Sequence, residues 1–392
     1  MEFTRSQILR GGLGAALSLW PLRAAGAAGP PSGGRPTSRG SGGPLRLSHR
    51  VVELHLRHAW TLSRGTTRTK RNVIVTLDCD GITGLGEAAP NIRYGETTET
   101  VLQALAAAGP LLAGIHPSHL AEAHRRLREA LPAAHAARCA IDMALWDWNG
   151  RALGIPLWRQ LGLDPGAAPL TSFSLAISDR QELLQKVQEA APYPLLKLKL
   201  GARGPFGDRE IVQTVREAAP HKRLRVDPNE GWTPAEARQH LRWLAGLRHQ
   251  GAPVVELCEQ PLPAHDLPAL QALYRERLGV PILLDESALS AEEVPRLVGS
   301  CDGIVVKLQK AGGLTGALQQ IAVARALGMR VMLGCMIESS LGITAAAHLA
   351  PLCDHADLDG HLLVDNDPFV GVKVAQGRLH LPQGPGLGVQ TT

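Results

Sequence analysis

Hydrophobic and polar positions recur in a regular unit along most of this 392-residue chain. From Pro169 onward, each short β-rich run is followed by a polar loop and then by a stretch with the apolar spacing of an amphipathic helix, as in 179–191 and 314–328. The runs are LTSFSLAI (170–177), LLKLKL (195–200), RLRVD (223–227), PVVELCE (253–259), PILLDE (281–286), GIVVKLQ (303–309), RVMLGCM (330–336) and a weak eighth at ADLDG (356–360). Strands that alternate with helices in this way predict an α/β fold, a (β/α)8 barrel of the TIM type. In such barrels the active site lies at the carboxyl ends of the strands.

A different pattern precedes the barrel. Residues 45–165 predict an α+β domain of three antiparallel strands, the last two joined near DCDG (78–81), followed by helices between about Thr97 and Gln160. The barrel then occupies 166–365, and short strands and turns fill 366–392. The GLG at Gly84–Gly86 closes a strand instead of opening a helix, so it does not predict a nucleotide site.

Residues 1–44 predict a signal peptide followed by a low-complexity linker. Arg5 and Arg10 precede an apolar run, 11–22, which is too short to span a bilayer, so we expect no stable membrane anchor. TRSQIL resembles a twin-arginine export signal, with Ser6 where the second arginine would be. We expect an exported, periplasmic protein, or a cytoplasmic one if this segment is a disordered tail and not a signal.

Composition removes several classes of function. With 44% hydrophobic and 20% charged residues the chain is an ordinary globular protein, and its net charge of +5 comes without basic runs interleaved with aromatic residues. We therefore expect no nucleic-acid partner. The six cysteines form no C-x-x-C pair, which argues against a cysteine-held metal.

Charged side chains end most of the predicted barrel strands. Lys197 and Lys199 end strand two and point to the same side of it; in isolation, such a pair is typical of a solvated edge strand. The other strand ends carry Asp227 and Asn229 (three), Glu259 (four), Asp285 and Glu286 (five), Lys307 (six), and Asp357 and Asp359 (eight). The same rim of the barrel is therefore charged at nearly every strand.

Three of these acids come from consecutive strands. Taken singly, Asp227, Glu259 or Asp285 could each cap a helix. Together in one cleft they would repel one another strongly without a cation, so a hard divalent ion is implied. Ligands that are all oxygen, with no convergent histidine or cysteine, favour Mg²⁺ over zinc.

The lysines then gain a chemical role. Lys199 on strand two and Lys307 on strand six are expected to face each other across the barrel. A carbon acid next to a carboxylate is very weak, but Mg²⁺ and ammonium groups stabilise the enediolate that forms when its proton leaves. Two bases on opposite faces of one carbon would invert it.

The combined motifs resemble those of a known family. K-L-K (197–199), D-P-N (227–229), E-Q-P (259–261), D-E-S (285–287) and K-x-x-K-x-G-G (307–313) are similar to the enolase superfamily in its muconate-lactonizing-enzyme-like subgroup. The resemblance covers the chain from Leu45 to the end and makes 45–165, joined by 366–392, a capping domain. GCMIESSLG (334–342) and DLDG resemble the dipeptide epimerases of this group, of the L-Ala-D/L-Glu epimerase type.

The resemblance assigns a role to each candidate residue. It implies one Mg²⁺ per subunit held by Asp227, Glu259 and Asp285, an acid/base pair of Lys199 and Lys307, substrate contacts from Lys197, Ser174, Asp357, Asp359 and Arg64, and support from Asn229, Glu286 and Lys310. The D-x-D pair would hold the free α-amino group of a dipeptide, unless one aspartate caps a helix and the other is solvated. The loop 60–70 would close over the site, where Arg64 or Arg68 would meet an acidic group, or remain solvated.

The resulting hypothesis is an isomerase, a Mg²⁺-dependent dipeptide epimerase that inverts an α-carbon by two-base proton transfer. Cycloisomerases and o-succinylbenzoate synthases use the same lysines and metal and remain alternatives, and a non-catalytic exported binding protein on this fold is a further one. Sugar-acid dehydratases usually carry a histidine base at strand seven. Here that strand ends in GCMIESS, without a histidine, so this class is ranked lower. The expected partner is a small dipeptide, whose side chains the sequence does not specify. The oligomeric state also stays open, and a homo-oligomer is one of the alternatives.

Overall fold

The computed structural model of the protein describes residues 43–201 and 206–392. The predicted signal peptide and linker at 1–44 lie outside the described residues except for their last two positions. No helix among the described residues has the length and apolar character needed to cross a membrane. The cysteines in this part of the chain are all free thiols.

The N-terminal part begins with an antiparallel sheet in the order β1 (Arg46–Leu62), β2 (Gly65–Cys79) and β3 (Ile82–Ala88). Strands β2 and β3 are joined at Asp80 and Gly81, whose φ angles of 52° and 74° are both left-handed, as a tight hairpin turn requires. The hairpin predicted at DCDG is confirmed. Four helices follow: α1 (Thr98–Leu112), α2 (Leu120–Ala130), α3 (His135–Leu153) and α4 (Leu157–Gln160).

The barrel follows, with one small hairpin inserted. Its elements in chain order are β4 (Phe173–Leu175), α5 (Arg180–Glu189), β5 (Leu195–Lys199), α6 (Asp208–Ala218), β6 (Arg223–Asp227), α7 (Pro234–Ala245), the hairpin β7 (Arg248–His249) and β8 (Ala252–Pro253), β9 (Val255–Glu259), α8 (Leu267–Arg275), β10 (Ile282–Leu284), β11 (Gly303–Lys307), α9 (Leu308–Ala311), α10 (Leu314–Ala326), β12 (Arg330–Gly334), α11 (Ser340–Ala347) and β13 (His355–Asp357). The tail adds β14 (Phe369–Val370), β15 (Lys373–Ala375), β16 (Arg378–His380) and β17 (Gln390–Thr391).

The eight barrel strands form one parallel sheet in the order β13-β12-β11-β10-β9-β6-β5-β4. An isolated parallel bridge between Thr171 and Ala356 brings the first and last strands together, so the barrel is nearly closed. The predicted (β/α)8 architecture is therefore confirmed, with shorter strands than the apolar runs suggested. Leu308 and Gln309, for example, belong to α9 because the chain turns into a helix directly after Lys307.

The C-terminal tail contacts both parts of the protein. The Leu387 amide donates to Asp147 Oδ1 on α3 at 2.7 Å, and the Gly386 amide donates to the Ile155 carbonyl at 3.0 Å. In the barrel, the Thr171 amide donates to the Gly377 carbonyl at 2.8 Å. The described residues form one compact unit. The domain boundaries 45–165, 166–365 and 366–392 stay a prediction.

The GLG segment on β3 has a packing role. Helix α3 is buried along almost its whole length and lies directly on β3. A Cβ on Gly84 would lie 2.8 Å from the Trp148 amide nitrogen, and one on Gly86 would collide with the Ala140 carbonyl oxygen. The glycines therefore permit a backbone-to-backbone approach between strand and helix.

We expect Gly86→Ala to destabilise the protein by about 1–3 kcal/mol, because β3 and α3 would have to separate to admit the methyl group. Urea unfolding followed by circular dichroism measures this difference. Gly384→Ala is the matched control: its added Cβ meets only the Gly388 Cα, at 3.5 Å, and should shift the free energy of unfolding by less than about 0.5 kcal/mol. Equal effects of the two substitutions would contradict the close-approach explanation.

Candidate active site

Strand register brings the predicted charged residues to one rim. Lys199 on β5 is the register partner of Asp227 on β6, and Ser174 on β4 is the partner of Lys197. On the other side of the barrel, Gly334 on β12 pairs with both Lys307 and Asp357. The strand ends therefore bring these side chains together at the carboxyl end of the barrel, as expected for its functional face.

Lys197 lies at the centre of this rim. Its Nζ is 2.6 Å from Glu259 Oε2, 2.7 Å from Asp357 Oδ2 and 3.1 Å from Asp227 Oδ2, and the residue is 1% exposed. Burial alone would lower the pKa of this ammonium group, but the three carboxylates raise it well above its usual value. Lys197 is therefore a fixed cation that joins strands β6, β9 and β13.

The two candidate acid/base lysines each contact a different carboxylate. Lys199 Nζ donates to Asp227 Oδ2 at 2.5 Å and lies 5.9 Å from the centre of the Trp60 ring, which comes from the capping strand β1. Lys307 Nζ donates to Asp285 Oδ2 at 2.7 Å. Both lysines line the same cavity.

Lys310 has a different environment from Lys307. Its fully buried ammonium group donates to the carbonyl oxygens of Asp285 at 2.6 Å and of Ala288 and Val305 at 3.1 Å, and it also contacts the Asp285 carboxylate. Every donor of this group is thus used inside the protein. Lys310 holds Asp285 in place and does not line the cavity.

The candidate metal ligands differ in charge environment. Burial would raise the pKa of Asp227, but Lys199 and Lys197 hold it below its usual value. Burial is likewise overcome at Asp285, where Lys307 and Lys310 hold the pKa of the carboxyl far below its usual range. Both groups are therefore anionic at neutral pH.

Glu259 has weaker support than these two acids, because Lys197 is its one lysine partner among the described residues. Although Lys197 is near, neither carboxylate oxygen of Glu259 receives a hydrogen bond, and the residue is completely buried. Burial and the charge of Asp227 raise the pKa of Glu259 to about 8. Lys197 offsets only part of the cost of burying this carboxylate, so a further cation would stabilise it, and the oxygen set of Asp227, Glu259 and Asp285 fits a hard divalent ion.

Among residues 43–201 and 206–392, no three histidine, cysteine, aspartate or glutamate side chains already surround a common point at metal-binding spacing. The ammonium groups of Lys197, Lys199 and Lys307 occupy the space between the carboxylates. The joint ligation of one Mg²⁺ by the three acids stays a prediction.

Asn229 and Glu286 extend the carboxylate cluster. The Asn229 amide donates to Asp227 Oδ1 at 2.9 Å, and its side-chain amide reaches Glu286 Oε1 at 3.4 Å. Gln260, which sequence reasoning did not single out, accepts hydrogen bonds from the Asp285 and Ser287 amides at 3.0 and 3.2 Å. These residues orient the acids of neighbouring strands.

The aspartates of DLDG are not equivalent. Asp357 ends β13, but Asp359 lies beyond the strand with φ −107° and ψ 2°, so the prediction of a strand through 356–360 was wrong after Asp357. The chain bends there because the Leu358 amide donates to Thr171 Oγ1 and Asp359 Oδ2 accepts from the Ser174 amide at 2.6 Å. Both aspartates and Ser174 still line the cavity.

Their charges differ as well. Ser172 donates to Asp357 Oδ1 at 2.5 Å, and Lys197 holds the other oxygen. Burial opposes ionisation of Asp357, but Lys197 and Lys199 keep its pKa well below its usual range. Burial and the charge of Asp357 raise the pKa of Asp359 to about 7. Asp357 is therefore a neutralised anion, whereas Asp359 gains most from a new positive charge.

The capping domain closes the cavity, which measures about 330 Å³. Trp60, Leu62 and Lys70 from β1 and β2, with Ile92 and Tyr94 from the turn after β3, form its roof. Part of the predicted loop 60–70 therefore lies over the strand ends. Its role in reading the substrate side chains stays a prediction. Arg68 is not among the lining residues.

Arg64 is already held by the barrel. Its guanidinium donates to Glu286 Oε1 at 2.9 Å, and to Glu230 Oε2 and the Asn229 carbonyl at 3.1 Å. Arg93 forms a two-point contact with Glu230 at 2.6 and 2.8 Å. Sequence reasoning missed Arg93 and Glu230, because nothing in a single sequence pairs residues so far apart along the chain.

A buried carboxylate network joins the cap to the barrel behind this roof. Glu87 on β3 accepts from Asn72 and from the Ser339 hydroxyl at 2.8 and 2.6 Å. Gln309 donates to the Glu87 carbonyl at 3.0 Å and to Glu338 Oε2 at 2.8 Å. Burial raises the pKa of Glu87, and burial and the charge of Glu87 raise the pKa of Glu338 to about 7.

The protein is a nearly closed barrel with paired lysines and acids on its rim and an α+β cap over them. This arrangement defines a class of barrel proteins, but it does not specify one reaction. Comparison with known proteins identifies the family. Residues 47–162 match the mandelate racemase/muconate lactonizing enzyme N-terminal domain, and 179–392 match the enolase C-terminal domain-like family. The chain belongs to the mandelate racemase/muconate lactonizing enzyme family of the enolase superfamily, as its motifs predicted.

Individual relatives are also similar over most of their length. An L-Ala-D/L-amino acid epimerase of Pedosphaera parvula is 38% identical over 344 residues, which cover 85% of this chain and 95% of the relative. An L-Ala-D/L-Glu epimerase of Bacteroides thetaiotaomicron is 35% identical over 89% of each chain. A dipeptide epimerase from Enterococcus faecalis V583, solved with Mg and the dipeptide L-Leu-L-Tyr, superposes with a TM-score of 0.81 at 31% identity, covering 88% of this chain and 99% of that one.

The carboxylate network predicts a pH effect on stability. Because the folded-state pKa of Glu338 is raised to about 7, its contribution is present below the unfolded value near 4.5 and is lost as the pH rises through 7. Glu338→Gln carries no charge and should escape this loss. We expect the variant to gain roughly 1–3 kcal/mol relative to wild type between pH 5 and pH 8, at about 1.4 kcal/mol per pKa unit. Urea unfolding of both proteins at the two pH values measures this; a pH-independent difference would contradict it.

Proposed function

We propose that this protein is a Mg²⁺-dependent dipeptide epimerase that inverts the α-carbon next to the free carboxylate. One observation carries the proposal: Lys199 ends β5 and Lys307 ends β11, four strands apart in a barrel of eight, so they oppose each other across the cavity. On one side, the strands between them are β6, which ends at Asp227, β9, which ends at Glu259, and β10, which Asp285 directly follows. This arrangement supports a two-base reaction on a carbon held between the lysines.

Mg²⁺, when held by Asp227, Glu259 and Asp285, supplies the positive charge that a developing enediolate on the substrate needs. The lysines of the chain perform the proton steps. Lys199 Nζ takes the α-proton from one face of the carbon, and Lys307 Nζ delivers a proton to the other face. In the reverse direction the two exchange roles, which is why either stereoisomer is a substrate.

The remaining rim residues orient the dipeptide. Asp359, whose Oδ2 accepts from the Ser174 amide, accepts the substrate ammonium group, and Asp357 lies beside it, paired with Lys197. Lys197 fixes Asp357 and Glu259 in place. Trp60 and Tyr94 in the roof keep water from the reacting carbon.

The proposed place of action rests on the N-terminal sequence alone. We propose export to the periplasm through the signal peptide in residues 1–44, so that the substrates would be dipeptides outside the cytoplasm. Cellular fractionation of the full chain, with and without residues 1–44, tests this.

Incubation of the protein with L,L-dipeptides and Mg²⁺ in D₂O should add one dalton to each substrate, because the returned proton comes from solvent through the lysines. Mass spectrometry reads the exchange. N-acetyl dipeptides, which lack the ammonium group, should react at least roughly tenfold more slowly, since a charge-assisted hydrogen bond is lost. Exchange into no dipeptide, with turnover of a succinylbenzoate precursor instead, would replace the proposal by a synthase.

Lys199→Ala and Lys307→Ala should each abolish epimerisation, because each removes one of two required bases. Each variant should still exchange the α-proton of one stereoisomer, and the two variants should retain opposite ones. Proton NMR of L,L- and L,D-dipeptides in D₂O measures this. Lys373→Ala, at an exposed position on β15, is the control and should exchange both. Loss of exchange from both isomers in both variants would argue against two bases.

A further inference from the structure

The cavity wall carries six cationic side chains, which differ in whether they form ion pairs with carboxylates of the protein. Lys197, Lys199 and Lys307 contact the rim carboxylates, and Arg64 and Arg93 contact Glu230 or Glu286. Lys70 is the remaining one. Within the described part of the chain, its side chain forms no hydrogen bond and no ion pair.

The cap arginines already have carboxylate partners within the protein. Glu230 receives Arg93 at two points, 2.6 and 2.8 Å, and Arg64 at 3.1 Å. Its backbone holds a left-handed φ of 69°, unusual for a residue with a side chain, directly after Asn229 at 45°. The arginine charges are thus balanced by a carboxylate that the barrel loop presents to them.

The described surroundings of Lys70 offer it no carboxylate partner. It stands on β2 opposite Leu54 and points to the same side of the strand as Asn72, whose amide donates to the Ile337 carbonyl at 3.0 Å. Leu54, Ile337 and Val364 form an apolar cluster on this side. Lys70 is partly buried there, and burial alone lowers its pKa. A cation placed against apolar surface without a counter-charge is costly unless a ligand supplies one.

The charged groups of a dipeptide limit what that ligand group is. In the proposed reaction the ammonium group meets Asp359, and the carboxylate next to the reacting carbon belongs near Asp227, Glu259 and Asp285. Neither end is then left for Lys70. The remaining charged group that a dipeptide can carry is on a side chain, and Lys70 lines the part of the cavity that the cap covers.

Resting on the proposed function, the geometry points to Lys70 as a specificity-determining residue that pairs with a side-chain carboxylate of the dipeptide. The substrate class is therefore dipeptides with an aspartate or glutamate residue. The neutral isosteres, which have glutamine in place of glutamate, leave the ammonium group of Lys70 unpaired and are poorer substrates. Discrimination comes from one charge-assisted contact in a partly desolvated wall.

The test compares matched dipeptides that differ only in charge. For the full chain with Mg²⁺, kcat/KM is measured for L-Ala-L-Glu against L-Ala-L-Gln, and for L-Glu-L-Ala against L-Gln-L-Ala, to locate the side chain. We expect wild type to favour the acidic dipeptide of one pair by roughly tenfold or more, and Lys70→Met to reduce that ratio to near one. Lys70→Arg should keep most of the preference.

Arg71→Met is the matched control for loss of positive charge. Arg71 follows Lys70 on β2, is half-exposed and pairs with the surface residue Glu99 at 2.9 Å, so its loss should leave the glutamate-to-glutamine ratio as in wild type. A wild type without acidic preference in either pair overturns the inference. So does a ratio that Lys70→Met leaves within twofold of wild type.

Binding measurements separate this inference from the proposed function. Calorimetric titration with L-Ala-L-Glu and L-Ala-L-Gln gives dissociation constants whether or not turnover occurs. Epimerisation of neutral dipeptides without any effect of Lys70 on the ratio would keep the function and reject the role of Lys70. Acid-selective binding that Lys70→Met abolishes, without exchange into any dipeptide in D₂O, would keep the role of Lys70 and reject the epimerase.

Discussion

The organisation of this protein depends on balancing charge inside a rim that is almost entirely buried. Lys197, 1% exposed, lies within 3.1 Å of three carboxylates from three strands. Desolvation makes each of these groups costly alone, and only their mutual proximity makes the set tolerable. Because every member stands at the carboxyl end of a strand, the barrel register fixes which charges meet.

Within this rim the charge balance is weakest at two acids, Glu259, which is fully buried, and Asp359, which lines the cavity. Among the described residues, Glu259 accepts no hydrogen bond and has only Lys197 beside it, and burial and the charge of Asp357 raise the pKa of Asp359 to about 7. Groups that a fold leaves unsatisfied in a cleft are those that ligands satisfy. A cation at Glu259 and an ammonium group at Asp359 would complete the two sites, which lie on β9 and after β13.

The cap follows the same rule at its contact with the barrel. Glu230 balances Arg64 and Arg93, Glu286 balances Arg64 again, and Glu87 is held by Asn72 and Ser339 from opposite sides of the boundary. Close backbone approach of β3 to α3, made possible by Gly84 and Gly86, supports this half of the structure. Polar contacts thus hold the roof of the cavity to the barrel, and close packing of β3 against α3 supports it within the capping domain.

The sequence by itself determined the barrel, the hairpin at Asp80–Gly81 and the family, because strand and helix periodicity and short motifs are local signals. It also predicted that Lys197, Lys199, Asp227 and Lys307 share a rim, since successive strand ends of a parallel barrel meet there. Only the tertiary structure decided that Asp359 leaves its strand, that Arg64 pairs with Glu230 and Glu286, and that Lys70 has no charged partner among residues 43–201 and 206–392. Those facts arise from contacts between residues far apart in sequence, such as Arg93 with Glu230, and no periodicity along the chain encodes which distant charges will pair.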